Sequence, residues 1–303
     1  MLYTFKQNQT FLNSIEYSVA YHCNLRCTQC SHLSPFMRPE FPSVESFKED
    51  LFRLSEVMHA KVIRLLGGEP LLNPDIDRFV VIAKQSGIAD VVAVTTNGLL
   101  LHRMSESFWK NVDYVLVSLY PGIELKESYT TFKERAKSHN TRIWFQIVNR
   151  FRITIVSAPH KKDWITSLIY HSCKDVHFYH CHMIHEGMLY KCAVPPFLGR
   201  YSAQIKQDYD PIPDGLSIHN HSNLHKDLRR YLADKRSTEA CRYCLGYIGK
   251  RIPHTQVYPN SGLNDEKISV TRRNSLHFRR LFKNACGLIY RRFAERLTGK
   301  QRW

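Results

Sequence analysis

Cys23, Cys27 and Cys30 fall in one short run, Cys23-Asn24-Leu25-Arg26-Cys27-Thr28-Gln29-Cys30. Three thiols on a single loop can grip a metal group at three points. A cubane [4Fe–4S] cluster takes four ligands, so a CxxxCxxC loop leaves one iron open to a substrate or cofactor. The same thiols could serve zinc, with His22 or His32 completing a tetrahedral set. A second set lies downstream. Cys181 and Cys192 flank Gly187, four residues separate that glycine from Cys192, and Cys241-Arg242-Tyr243-Cys244 follows. Four thiolates there suit either a structural zinc or a second cluster. Cys173 and Cys286 read as ordinary buried thiols. His177, His180, His182 and His185 read as surface or substrate-pocket residues.

These side chains need a frame. Residues 15–21 alternate and end at the cysteine loop, as a first strand would. Ser43 is a helix cap, followed by a stripe of Phe47, Leu51, Leu54, Val57 and Met58. Residues 61–66 read as a buried strand ending at Gly67-Gly68. A helix over 74–84 stops at Gly87, and a strand over 91–95 ends at Thr96-Asn97-Gly98. Strands over 112–119 and 142–148 enclose a helix near 126–138, and a hairpin-like return follows at 153–157. Alternating strands and helices imply right-handed βαβ units, a parallel sheet, and ligands at the carboxyl ends of the strands. The cysteine loop, Gly67–Pro70, Thr96–Gly98 and Ser118 all fall at that edge.

The chain is long enough, at 303 residues, for one large domain and a smaller one. Nine cysteines without a signal-peptide pattern in residues 1–13 point to metal or catalysis in the cytosol, not to disulfides. The net charge of +16 is uneven, because residues 266–303 carry +9 of it. There Phe278, Leu281, Phe282, Ala285, Leu288, Ile289, Phe293 and Leu297 recur at helical spacing among arginines. Such a helix either lies on an anionic membrane surface, at the inner membrane face, or packs on the body of the protein. It lacks the aromatic–basic interleaving on a separate fold that would suggest nucleic acid.

Cys23/Cys27/Cys30 followed by Gly67-Gly68-Glu69-Pro70 and the Thr95-Thr96-Asn97-Gly98 run resembles the radical S-adenosylmethionine (SAM) superfamily. The resemblance implies a partial (β/α)6 barrel over about residues 15–157, with a SAM-binding [4Fe–4S] cluster on the three cysteines. It implies SAM contacts at Gly67, Gly68, Glu69, Pro70, Thr96, Asn97 and Ser118. It also implies reductive cleavage of SAM to a 5′-deoxyadenosyl radical, with an electron donor such as flavodoxin or ferredoxin. Family members usually carry an aromatic before the third cysteine; this chain has Gln29, leaving His32 or Phe36 to cover the adenine. The second set resembles a SPASM or shorter twitch domain, and so implies an auxiliary [4Fe–4S] cluster on Cys181, Cys192, Cys241 and Cys244. The expected division is a core over 1–165, an auxiliary domain over 166–260 and a basic tail over 261–303. A closed second cluster favours net oxidation of a small sugar-like or lipid-linked molecule. The alternatives are maturation of a ribosomally made peptide, or a non-catalytic zinc protein docking on membranes.

Overall fold

The computed structural model describes residues 3–6, 8–156, 158–204 and 208–257. The expected tail helix, with Cys286, lies outside the described residues. Eleven strands occur among those described: β1 (Thr4–Lys6), β2 (Gln9–Ala20), β3 (Met58–Gly67), β4 (Ala89–Thr96), β5 (Tyr114–Leu119), β6 (Arg142–Ile147), β7 (Arg150–Arg152), β8 (His182–His185), β9 (Met188–Tyr190), β10 (Gly215–Ser217) and β11 (Arg251–Pro253). Four helices connect β2 to β6: α1 (Val44–Ser55), α2 (Ile76–Gln85), α3 (Glu106–Asn111) and α4 (Tyr129–Ser138). Four more follow: α5 (Asp163–Ser172), α6 (Lys174–His177), α7 (Val194–Gln204) and α8 (Leu224–Ala233).

Local chemistry explains the helix positions. Ser43 caps α1 by accepting from the Ser46 amide at 3.3 Å, which satisfies one of the orphan donors of the first turn. Phe47, Leu51 and Leu54 then face inward with no exposure. Phe47 packs edge-on against Tyr17 at 4.6 Å and tilted against Phe79 at 4.7 Å. Gly87 ends the next segment at φ +62°, a left-handed conformation that glycine adopts without a Cβ penalty.

The main sheet runs β10-β9-β8-β2-β3-β4-β5-β6, with β1 paired to β2. From β8 to β6 every neighbouring pair is parallel. Helices shield such a sheet on its outer face, so β2 and β8 are buried along most of their length, while the edge strand β6 stays largely exposed. The six parallel strands of a partial barrel are present, but in an order the sequence did not suggest. Five come from the strand–helix succession, and the sixth, β8, joins beside the first strand from the second half of the chain. The return expected at 153–157 also differs: β7 pairs antiparallel with β11, about a hundred residues later. Strand pairing therefore crosses the division expected near residue 165, at β2–β8 and at β7–β11.

Candidate metal and cofactor site

A cavity of about 490 Å³ opens at the carboxyl ends of β2 to β5. Its walls include Cys23, Cys27, Cys30, Gly67, Gly68, Glu69, Thr96, Asn97 and Ser118. One edge of the sheet thus gathers nearly every residue that the sequence singled out in the first half; Pro70 lies buried just behind.

The Gly-Gly-Glu-Pro turn is docked on the chain leading into the cysteines. The Gly68 amide donates to the Ala20 carbonyl at 2.7 Å, and the Glu69 amide to the His22 carbonyl at 3.0 Å. A Cβ on Gly68 would stand 1.9 Å from the His22 carbonyl oxygen, and one on Gly67 2.2 Å from that of Ala20. The close approach that demands glycine is therefore to this chain's own backbone, before any ligand is considered.

Glu69 is nearly inaccessible, at 1 % exposure. Its carboxylate accepts from the Leu71 amide at 3.1 Å, the Thr96 hydroxyl at 2.5 Å and the Asn97 amide at 2.8 Å. Burial pushes its pKa up to about 7 against those three donors. Asn97 Nδ2 continues the chain of contacts to Asn24 Oδ1 at 2.7 Å, and lies 3.8 Å from Cys23 Sγ. Thr96 and Asn97 line the cavity, and they also brace the cysteine loop through Glu69.

The three thiols sit among donors. Cys23 Sγ accepts from the Leu25 amide at 3.3 Å, and Cys27 Sγ lies 3.1 Å from His254 Nε2. Burial raises the pKa of all three, that of Cys27 to about 12. Thiolates in such a place need bound cations to displace their protons. As they stand, the thiols line a cavity rather than converge on one point, and among the described residues no three Cys, His, Asp or Glu side chains meet around a single ion. This donor set suits a multi-iron group held at three corners.

The cover on this loop carries no mark in the sequence. Residues 254–257 lie along it: the Thr28 amide donates to the Thr255 carbonyl at 2.8 Å and the Val257 amide to the Arg26 carbonyl at 2.7 Å. Gln29, where the resemblance implied an aromatic, adopts φ +60° and accepts from the Thr154 amide at 3.0 Å. Its role is to tie the loop to the segment after β7. Phe36 packs on Tyr201, and His32 lines the cavity edge-on to Phe197. The cavity's aromatic lining is instead Tyr120, Phe151 and Tyr247, with Tyr120 stacked on His254 at 4.8 Å and edge-on to Phe151 at 5.8 Å. Tyr120 follows the predicted strand end at Ser118-Leu119, which is the signal that could have found it.

The second thiol set is assembled differently from the expectation. Cys173, Cys192, Cys241 and Cys244 line one small cavity, next to the nearly buried Lys191. The Cys192 pKa is raised by burial and then by Cys173, Cys241 and Cys244. Cys181 lines only the large cavity, where burial and then Glu16 and Asp175 raise its pKa. Cys173, Cys192 and Cys244 line the large cavity as well, together with Cys181, so the structure adds Cys173 to the thiols gathered here. Cys173 caps the end of α5, and packing of that helix carries it in. The histidines nearby are also displaced from expectation. His180 and His182 are fully buried and stack on Tyr3, and His185 is 4 % exposed; neither they nor the half-buried His177 line the cavity.

Comparison with known proteins bears on the first half. Residues 17–153 match the model of the radical SAM superfamily. GTP 3′,8-cyclase of Chlorobaculum tepidum is 40% identical over 146 residues, 48% of this chain and 41% of that protein. GTP 3′,8-cyclase of Nautilia profundicola is 32% identical over 121 residues, 38% of each. The chain thus spans about two fifths of the length of these relatives. Among solved structures, BtrN in complex with AdoMet and 2-DOIA aligns with a TM-score of 0.45 and 15% identity, over 78% of this chain and 93% of that one. The loop of three thiols, the glycine turn docked on it and the parallel strands that carry both agree with the matched span: residues 17–153 of this chain are a radical SAM domain.

Proposed function

We propose that this protein is an enzyme that cleaves SAM reductively and uses the resulting radical to abstract hydrogen from a small molecule. The observation that carries the reading is the cavity wall on which Cys23, Cys27 and Cys30 stand beside the turn at Gly67–Pro70. Cys23, Cys27 and Cys30 would hold three irons of a [4Fe–4S] cluster. Such a cluster, when bound, supplies one electron to SAM, releasing methionine and a 5′-deoxyadenosyl radical. The protein's part is placement and exclusion of water. Glu69, Thr96 and Asn97 fix the loop, Tyr120 offers a ring face, and residues 254–257 close over the cysteines. A one-electron donor such as flavodoxin or ferredoxin belongs to this reading, as does contact of the 261–303 tail with an anionic membrane.

Two outcomes are supported by different observations. Four thiols at Cys173, Cys192, Cys241 and Cys244 would leave a second [4Fe–4S] cluster no open iron, which suits an electron acceptor and net oxidation of a sugar-like or lipid-linked substrate. The name of the relatives, GTP 3′,8-cyclase, favours cyclisation of a nucleotide.

The test is iron and zinc content after anaerobic reconstitution, with SAM cleavage measured on the same sample. About eight irons per chain and dithionite-dependent 5′-deoxyadenosine are expected. About four irons and one zinc would keep the enzyme and make the second set structural. Zinc alone, without cleavage, would refute the proposal in favour of a non-catalytic zinc protein. Adding candidate substrates then separates the outcomes: GTP consumption favours cyclisation, oxidation of a sugar-like molecule the other, and a modified peptide would refute both.

A further inference from the structure

Three guanidinium groups line the cavity, and the reading above gives them no task. Arg150 and Arg152 stand two residues apart on β7, so both leave the same face of the ribbon. Arg251 on β11 is paired directly opposite Arg152. All three line the cavity. Like charges directly opposed across an antiparallel pair weaken it, so the ribbon keeps this arrangement at a cost to its own stability.

Two of the three groups are also held in place. Arg152 Nη1 donates to the Tyr247 and Gly249 carbonyls at 3.1 and 2.8 Å, and its guanidinium lies 4.2 Å from the Tyr247 ring centroid. Arg150 Nη2 donates to the Arg251 carbonyl at 2.8 Å. Of the three carboxylates lining the same cavity, two are committed elsewhere and the third acts on Arg152. Glu69 receives three donors from the turn and from β4, Glu16 is 3.9 Å from Arg64, and Asp175 is under the influence of Arg152. Among the described residues neither Arg150 nor Arg251 has a carboxylate partner. Three guanidiniums on one cavity wall, two of them held by backbone carbonyls, suit a phosphate, which accepts paired N–H bonds from each planar fork.

We infer that the β7–β11 ribbon binds the phosphate or pyrophosphate end of a small-molecule substrate. The strand β11 runs directly into His254, which touches Cys27, so a substrate held at the ribbon directs its other end toward the cysteine loop. The inference rests on the proposed SAM chemistry for its purpose, though not for its binding measurement. The phosphate could belong to a soluble metabolite or to a lipid headgroup.

The experiment is calorimetric titration of the reconstituted, SAM-loaded protein with inorganic pyrophosphate. Saturable binding is expected. Arg251→Gln should weaken it about tenfold, and Arg150→Gln with Arg251→Gln more strongly, as loss of charge-assisted bonds requires. SAM affinity and the melting temperature should stay unchanged in both, which rules out a folding effect. Arg230→Gln, at an exposed position of α8 away from the cavity, should bind pyrophosphate like the wild type. Equal pyrophosphate affinity in the ribbon variants, or binding that never saturates, would overturn the inference. So would a loss of SAM affinity instead, since the arginines would then serve the SAM carboxylate. SAM binding without pyrophosphate binding sinks this inference alone, and pyrophosphate binding without SAM binding sinks the proposed function alone. Dihexanoyl phosphatidate in place of pyrophosphate separates the two sources: tighter binding assigns the lipid headgroup, weaker binding the soluble phosphate, and either supports the site.

Discussion

The two thiol sets are built in opposite ways. Cys23, Cys27 and Cys30 share one loop, so chain connectivity alone keeps them together. Cys173, Cys192, Cys241 and Cys244 come from the end of α5, from just beyond β9 and from a short turn at Glu239–Tyr243. Only the packing of those elements gathers them. The first set can be recognised as a string of letters and the second only as a place in space. Glu16 stands between them, lining the large cavity beside Cys181.

This contrast can be broken most severely at the first set. Cys27→Ala should reduce dithionite-dependent 5′-deoxyadenosine to background, because two thiolates cannot hold the cluster; wild-type yield would refute the assignment. The next largest effect concerns the second set. Cys173→Ala should lose about half of the reconstituted iron, while Cys181→Ala keeps all of it. The reverse result would restore Cys181 as the ligand.

Glycine substitutions compare the two sets in stability. Gly68→Ala drives a Cβ into the His22 carbonyl and should cost about 2–3 kcal/mol in urea unfolding. Gly246→Ala, beside Cys173, meets only Ile169 Cγ2 at 3.2 Å but requires φ +46°. It should cost about 1–2 kcal/mol. An equal or greater loss at Gly246 would mean that the dispersed set is the more tightly built. The smallest effect is expected between the sets. Burial raises the Glu16 pKa to about 7 from 4.5, with Arg64 opposing. A folded-state pKa above the unfolded one means stability is greatest below about pH 4.5 and falls as pH rises through 7. Glu16→Gln should therefore flatten the pH profile and gain on the order of 2 kcal/mol at pH 8. A profile identical to the wild type would show that Arg64 neutralises the carboxylate fully.

The first half was legible because its signals are short in range. Ser43 capping α1, the stripe through Phe47, Leu51 and Leu54, and strand ends at Gly67 and Thr96 each depend on neighbours within a turn or two. What escaped depends on distant pairing. The alternation of β8 says nothing of its place beside β2, and three residues of β7 carry no mark of β11. Cys173 illustrates the same limit. The resemblance of the pattern around Gly187 picks out Cys181, and nothing near Cys173 in the sequence marks that the end of α5 sets it in one cavity with Cys192, Cys241 and Cys244. Glu69 shows a subtler limit: its motif was readable, but its bonds to Thr96 and Asn97 were not.

The cover over the cysteine loop also has a consequence in time. His254 and Cys27 are separated by 227 positions. At a synthesis rate of roughly 5–20 residues per second, the loop emerges about 11–45 s before the segment that closes over it. During that interval the thiols lack the later strap, and iron can reach them from a side that the finished fold covers. Insertion during synthesis and insertion into the completed protein are thus different reactions, and refolded protein has access only to the second once the strap has closed.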